Sequence, residues 1–331
     1  MAKSWTAAEL MEMVRAFQPA CVITAAADLD VFTALDGRPM TALMLAARID
    51  ADPRATAILL DALVALELLE KDKDVYTLSR AVADLLSGKS PVSILPGVRH
   101  LANCLRRWAP LAQVVRDGKP PARTPSIRGS AADGESFIGA MDTFAIATAP
   151  GVVAKLEPLQ FQRLLDIGGA SGTWTIAFLL AAPEATAVLF DLPDVIPLAE
   201  KRLTEAHVID RVTLVPGDYN LDEFPGGVDL AWLSAVAHQN SREQNRDIFA
   251  KIHTALAPDG ALVIRDVVMD ISRTRPPTGA LFAVNMLVGT EAGNSYTLPE
   301  YRDDLTRAGF TDIELIHQDA GMNSLIRAQK A

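Results

Sequence analysis

From Gln162 onward short apolar runs alternate with amphipathic helical stretches, and three successive runs close on an acidic residue. The runs Arg163–Ile167, Thr186–Phe190, Val212–Val215, Val228–Leu233 and Ala261–Asp266 have strand length and composition, and helical patterns separate most of them. Thr311–Leu315 and Asn323–Ala328 supply two further short strands. Strands alternating with helices imply an α/β fold with a mostly parallel, doubly wound, Rossmann-like sheet, here of seven strands. Such sheets bind ligands beyond the carboxyl ends of their strands, where the strand order reverses.

The chemistry-bearing residues stand at those ends. Leu164-Leu165-Asp166-Ile167-Gly168-Gly169-Ala170-Ser171-Gly172 runs from the first strand into a turn that opens a helix. Small residues let a ligand approach the backbone, and a helix start offers free N–H groups. Alone, this turn can serve a nucleotide or simply redirect the chain. The second strand closes on Phe190-Asp191-Leu192-Pro193, with Asp191 19 residues after Gly172. A carboxylate there can accept both hydroxyls of a ribose. The third closes on Gly217-Asp218-Tyr219, where Asp218 can accept from an adenine amino group and Tyr219 can pack on the ring. The fourth ends near Ser234, beside the same ligand. Any one acid can be a helix cap or a surface charge, but three at successive strand ends point to a nucleoside ligand. The turn lacks the G-x-G-x-x-G spacing of a dinucleotide site, which disfavours NAD.

Residues 1–100 are different. Helical patterns cover about 5–35 and Thr41–Ile49, and a third helix starts at Pro53 behind Asp52 as N-cap. A strand–turn–strand candidate, Leu69–Leu78, comes next, so the order is that of a winged helix-turn-helix. Charge argues against DNA: residues 1–90 carry nine Lys/Arg against thirteen Asp/Glu. Their apolar excess fits dimer contacts better. The whole chain has a formal net charge of −10, which disfavours nucleic acid and anionic membranes as partners and suits a cationic ligand. Cys21 and Cys104 lie far apart without metal-ligand spacing and read as thiols of a reducing compartment. With no leader pattern and no apolar run of membrane-spanning length, a cytoplasmic protein is expected. Residues 101–160 read as a helical connection. Within it, Phe137 and Met141 on the helical stretch Glu135–Leu156 can line an acceptor pocket or simply fill the core.

Four stretches resemble the caffeic acid/acetylserotonin O-methyltransferase family, the small-molecule branch of the S-adenosylmethionine-dependent methyltransferases. They are Asp166–Gly172, Phe190–Pro193, Gly217–Tyr219 and Leu233–His238; Leu256–Ile264 and Ala308-Gly309-Phe310 are similar as well. Their order and spacing cover nearly the whole chain. The resemblance implies a seven-stranded methyltransferase sheet over 101–331, a winged-helix dimerisation domain over 1–100, and a homodimer. It implies S-adenosyl-L-methionine held by Asp166, Gly168, Gly169, Gly172, Asp191, Leu192, Asp218, Tyr219 and Ser234. One departure is Ala170, where the family has glycine; its methyl group is accommodated if φ there is negative.

Methyl transfer from a sulfonium needs an aligned nucleophile and, for a hydroxyl acceptor, somewhere for its proton to go. Of five histidines, His238 follows the fourth strand, just before a Ser241/Gln244 capping box, and so sits at the ligand edge. It matches the family's general base, although the His-Asp-Trp of the family reads His238-Gln239-Asn240 here. Asp266, after the fifth strand, matches an acid flanking that base and can reach it. The second flanking acid falls near Ser295, where no carboxylate exists. Arg265 can meet an anionic group or point away. By resemblance Asn285 and Met286 line the acceptor pocket, with core packing the alternative for Met286. No acidic cluster has metal spacing, so no metal is expected. The expected function is O-methylation of a small aromatic or polyketide-like hydroxyl. The alternatives are C- or N-methylation on the same fold, or a cofactor-binding protein or regulator without methyl transfer.

Overall fold

The structure, a computed structural model, describes residues 3–330. Two compact units emerge. The first comprises the chain up to Ala109 together with Arg123–Thr143; the second comprises Pro110–Ala122 and everything from Phe144. The division expected at residue 100 therefore moves: 101–109 and 123–143 fold with the N-terminal unit.

In the first unit Asp52 caps the helix Pro53–Ala65 by accepting the Ala55 N–H at 2.8 Å, with Pro53 in the first turn. Leu60 and Leu63 of that helix are fully buried with Phe32, Leu35, Leu45 and Tyr76. The wing strands Glu70–Asp72 and Val75–Thr77 form as expected, and Met40–Thr41 adds a third, antiparallel to Val75–Thr77. Two helices follow, Leu95–Trp108 and Leu111–Asp117, parted at Pro110, whose ring cannot continue a helix interior.

The second unit is built on seven strands: β1 (Arg163–Ile167), β2 (Thr186–Asp191), β3 (Val212–Pro216), β4 (Val228–Ser234), β5 (Leu256–Asp266), β6 (Phe310–His317) and β7 (Ser324–Lys330). Their order is β6-β7-β5-β4-β1-β2-β3, with β7 antiparallel to both neighbours and the rest parallel. Its longer helices are α1 (Thr173–Ala181), α2 (Ile196–Glu205), α3 (Arg242–Ala255), α4 (Pro277–Gly289) and α5 (Leu298–Arg307). Period-two alternation divides each strand between two apolar layers. Leu165, Leu233 and Ile264 join Phe249, Tyr301 and Leu305 in one layer. Leu164, Trp232 and Val263 join Trp174, Phe178 and Leu203 in the other. The order reverses between β1 and β4, so their carboxyl ends form the switch point. Among the described residues no single helix is long and apolar enough to cross a membrane.

Candidate active site

The turn after β1 approaches its neighbours closely. Gly168 and Gly172 take φ of +67° and +82°, and a Cβ on Gly169 would stand 2.6 Å from Leu189. Ala170 also lies in the left-handed region, with φ +47°, so the condition of a negative φ is not met. The cause is visible: its N–H is turned toward the next strand, where it donates to Asp191 Oδ2 at 2.7 Å. The other oxygen of Asp191 takes the Leu192 N–H at 2.7 Å. Burial pushes the Asp191 carboxyl up, against those two bonds. Asp166 is buried, takes the Thr175 hydroxyl at 2.6 Å and is pushed up to about 7, chiefly by burial.

At the end of β3, Asp218 accepts the Asn220 N–H at 2.8 Å and gives its own N–H to Asp222 at 2.8 Å. Tyr219 packs against the apolar layer, and burial raises its hydroxyl to about 12. At the end of β4 the Ser234 hydroxyl takes an N–H of Arg265 at 3.0 Å.

His238 stands on a single helical turn, Ala237–Gln239, that follows β4. Its Nδ1 lies 2.8 Å from Asp266 Oδ1, and its backbone N–H reaches Oδ2 at 3.2 Å. An ionised carboxylate can only accept, so Nδ1 carries a proton, and in the neutral ring the lone pair is on Nε2. The pair is buried, side chains 6% and 0% exposed. Where the family has Asp-Trp, two amides hold the turn. Gln239 Nε2 donates to the Ala235 carbonyl at 2.9 Å and Asn240 Nδ2 to the Val236 carbonyl at 3.1 Å. Ser295 gives its hydroxyl to the Gly279 carbonyl at 3.1 Å, so this position ties down the start of α4.

Sequence reasoning missed Phe282. Its ring meets His238 edge-on, centroids 4.7 Å apart. Phe282, Asn285 and Met286 recur at i, i+3, i+4 on α4, a spacing that could have flagged it. Met286 is buried and Asn285 half-buried. Phe137 and Met141 belong to the first unit, where the Phe137 ring packs 5.3 Å from His100.

Residues 124–311 match the O-methyltransferase domain and residues 11–88 the O-methyltransferase dimerisation domain. The chain belongs to the O-methyltransferase family. It is 30% identical over 312 residues to the tetracenomycin polyketide synthesis 8-O-methyl transferase TcmO of Streptomyces glaucescens, covering 92% of this chain and 91% of that one. It is 29% identical over 313 residues to the N,N-dimethyltransferase OxyT of Streptomyces rimosus, covering 92% and 90%. The solved structure of PigF with SAH superposes with a TM-score of 0.86 at 27% identity, covering 98% of this chain and all of that one. This O-methyltransferase-family enzyme uses S-adenosylmethionine.

Proposed function

We propose that the enzyme methylates a hydroxyl of a small aromatic or polyketide-like molecule, with His238 as general base. The observation that carries this reading is the buried His238–Asp266 pair at the carboxyl edge of the sheet, walled by Phe282. Asp191 accepts the ribose hydroxyls, and the Gly168–Gly172 turn passes under the cofactor. The residues present fit that group. Asp191 is anchored by two backbone N–H groups yet keeps lone pairs to spare, and at Gly168, Gly169 and Gly172 the turn is bare backbone packed closely on Val236, Leu189 and Leu203. Asp218 and Tyr219 face the base, with Leu192 and Ser234 at its flanks.

S-adenosylmethionine supplies an electrophilic methyl group on a sulfonium. The protein aligns the acceptor with it, and Nε2 of His238 takes the hydroxyl proton as the oxygen commits its electrons. Asp266 then holds the imidazolium it has kept in the right tautomer. Phe282, Asn285 and Met286 shape the acceptor site. TcmO, an O-methyltransferase of polyketide synthesis, supports this acceptor class. The first unit pairs two copies. Trp5, Leu10, Met13, Val14 and Phe17 at its start are all exposed, and the dimerisation match covers residues 11–88.

A second reading keeps the cofactor and moves the methyl to nitrogen or carbon. Ser295 in place of an acid and the relative OxyT favour it. Labelled S-adenosylmethionine incubated with enzyme and candidate acceptors separates the two by mass spectrometry. A labelled methyl found on oxygen supports the first reading; label only on nitrogen or carbon overturns it.

A further inference from the structure

Arg265 ends β5 and turns to the face opposite Asp266, as strand alternation requires. Its side chain is deeply buried, 6% exposed. Nη1 donates to Ser234 Oγ at 3.0 Å, Nε donates to Asn323 Oδ1 at 2.9 Å, and the guanidinium carbon lies 4.5 Å from the centre of the Trp174 ring. All three partners are neutral. Among the described residues Arg265 makes no ion pair, and Asp266 and Asp319 act on it only through space. Burial pulls its pKa down to about 10, the direction expected of a cation without a counter-ion.

Asp166 is the mirror image. It is a buried carboxyl that takes the hydroxyl and the backbone N–H of Thr175 but no cation, pushed up toward neutrality by burial. The two share a sheet face. Asp166 is in register with Trp232, Ser234 lies two residues further along β4, and Ser234 is in register with Arg265. Two strand spacings across and two residues along put their Cα atoms about 12 Å apart. The arginine side chain runs to Ser234 on β4, the strand next to β1. An unneutralised acid and an unneutralised base thus face the strip of sheet edge at the switch point between β1 and β4. An α-amino acid zwitterion, an ammonium and a carboxylate on one carbon, matches that strip in charge.

We infer that Arg265 is the carboxylate anchor for the amino-acid tail of the cofactor, opposite Asp166 as acceptor for its ammonium. The guanidinium offers two parallel donors to a carboxylate, held in place by Ser234, Asn323 and the Trp174 face.

Calorimetric titration of wild type, Arg265→Gln and Arg265→Lys with two probes tests this. S-adenosylhomocysteine carries the tail; 5′-methylthioadenosine has the same nucleoside and lacks it. Arg265→Gln should weaken S-adenosylhomocysteine at least tenfold and leave methylthioadenosine unchanged, with Arg265→Lys in between. Comparing the two probes on one sample cancels any loss of folded protein. Equal weakening of both probes overturns the assignment and makes Arg265 a packing residue. Unchanged S-adenosylhomocysteine affinity overturns it too, and a raised KM for an acidic acceptor in that variant would move the carboxylate onto the acceptor.

Discussion

Asp266 holds His238 twice: Oδ1 takes the ring Nδ1–H at 2.8 Å and Oδ2 takes the backbone N–H of the same residue at 3.2 Å. One carboxylate thereby fixes both the tautomer of the ring and the peptide from which it hangs. Its Oδ1 also takes the Val267 N–H at 2.7 Å, which locks it in turn.

His238→Ala should lower turnover by about 10²–10⁴-fold and leave cofactor affinity unchanged, as the proposed role of the ring as base for the acceptor proton requires. Asp266→Asn should cost less turnover but some stability, since an amide NH₂ would face one of the N–H groups the carboxylate now accepts. Single-turnover rates and cofactor titration of the three proteins check this. If His238→Gln retains most turnover and only raises the acceptor KM, His238 shapes the pocket and is no base.

Much of this arrangement is legible in the sequence because sheet strands announce themselves twice, by their apolar runs and by the acidic or glycine-rich residues that close them. β1 has the limits its apolar run predicts, and β2 to β4 match theirs to within a residue. The placement of Asp166, Asp191, Asp218 and Ser234 then comes from strand ends alone. Three features are not legible. The left-handed φ of Ala170 is imposed by a partner 21 residues away, Asp191, which no local pattern reveals. The return of 123–143 to the first unit depends on tertiary contacts such as Arg128 with Asp28, remote in sequence. The third is the contact of Phe282 with His238: spacing puts Phe282 on the face of Asn285 and Met286 but does not say that this face meets the histidine.

Ala170→Gly should stabilise the protein by about 0.5–1 kcal/mol. A left-handed alanine costs roughly 1–2 kcal/mol, and the extra freedom of glycine in the unfolded chain returns part of that. The N–H bond to Asp191 survives the change, so cofactor affinity should hold. Denaturant unfolding of both proteins reads the difference; a variant less stable than wild type would show that Ala170 is not strained.

Asp191→Ala should harm two properties at once. It leaves the Ala170 and Leu192 N–H groups without their acceptor, at about 1–3 kcal/mol for each such group that water does not reach. It should also weaken cofactor binding by roughly 1–3 kcal/mol through the lost ribose acceptor. Calorimetry and unfolding curves on the same variant separate these. Unchanged affinity alongside a loss of stability would make Asp191 a turn anchor only.

Asp166 makes the stability of the free enzyme pH-dependent in an unusual direction for an aspartate. Its carboxyl keeps a proton up to about pH 7 in the folded protein, chiefly because burial disfavours the charge. In the unfolded chain an aspartate releases it near pH 4, roughly. Between those values the folded state binds more protons, so stability falls as pH rises, and the loss is complete above the folded value. Three pKa units bound the effect at about 4 kcal/mol. Asp166→Asn cannot titrate, so wild type minus variant should slope downward from pH 5 to pH 7 and then level off. Thr175→Val adds a control with a definite sign. The Thr175 hydroxyl favours the charged carboxylate, so its loss should carry the levelling-off to higher pH. Urea unfolding at half-unit pH steps measures all three proteins, and parallel curves for wild type and Asp166→Asn would show that Asp166 is charged throughout.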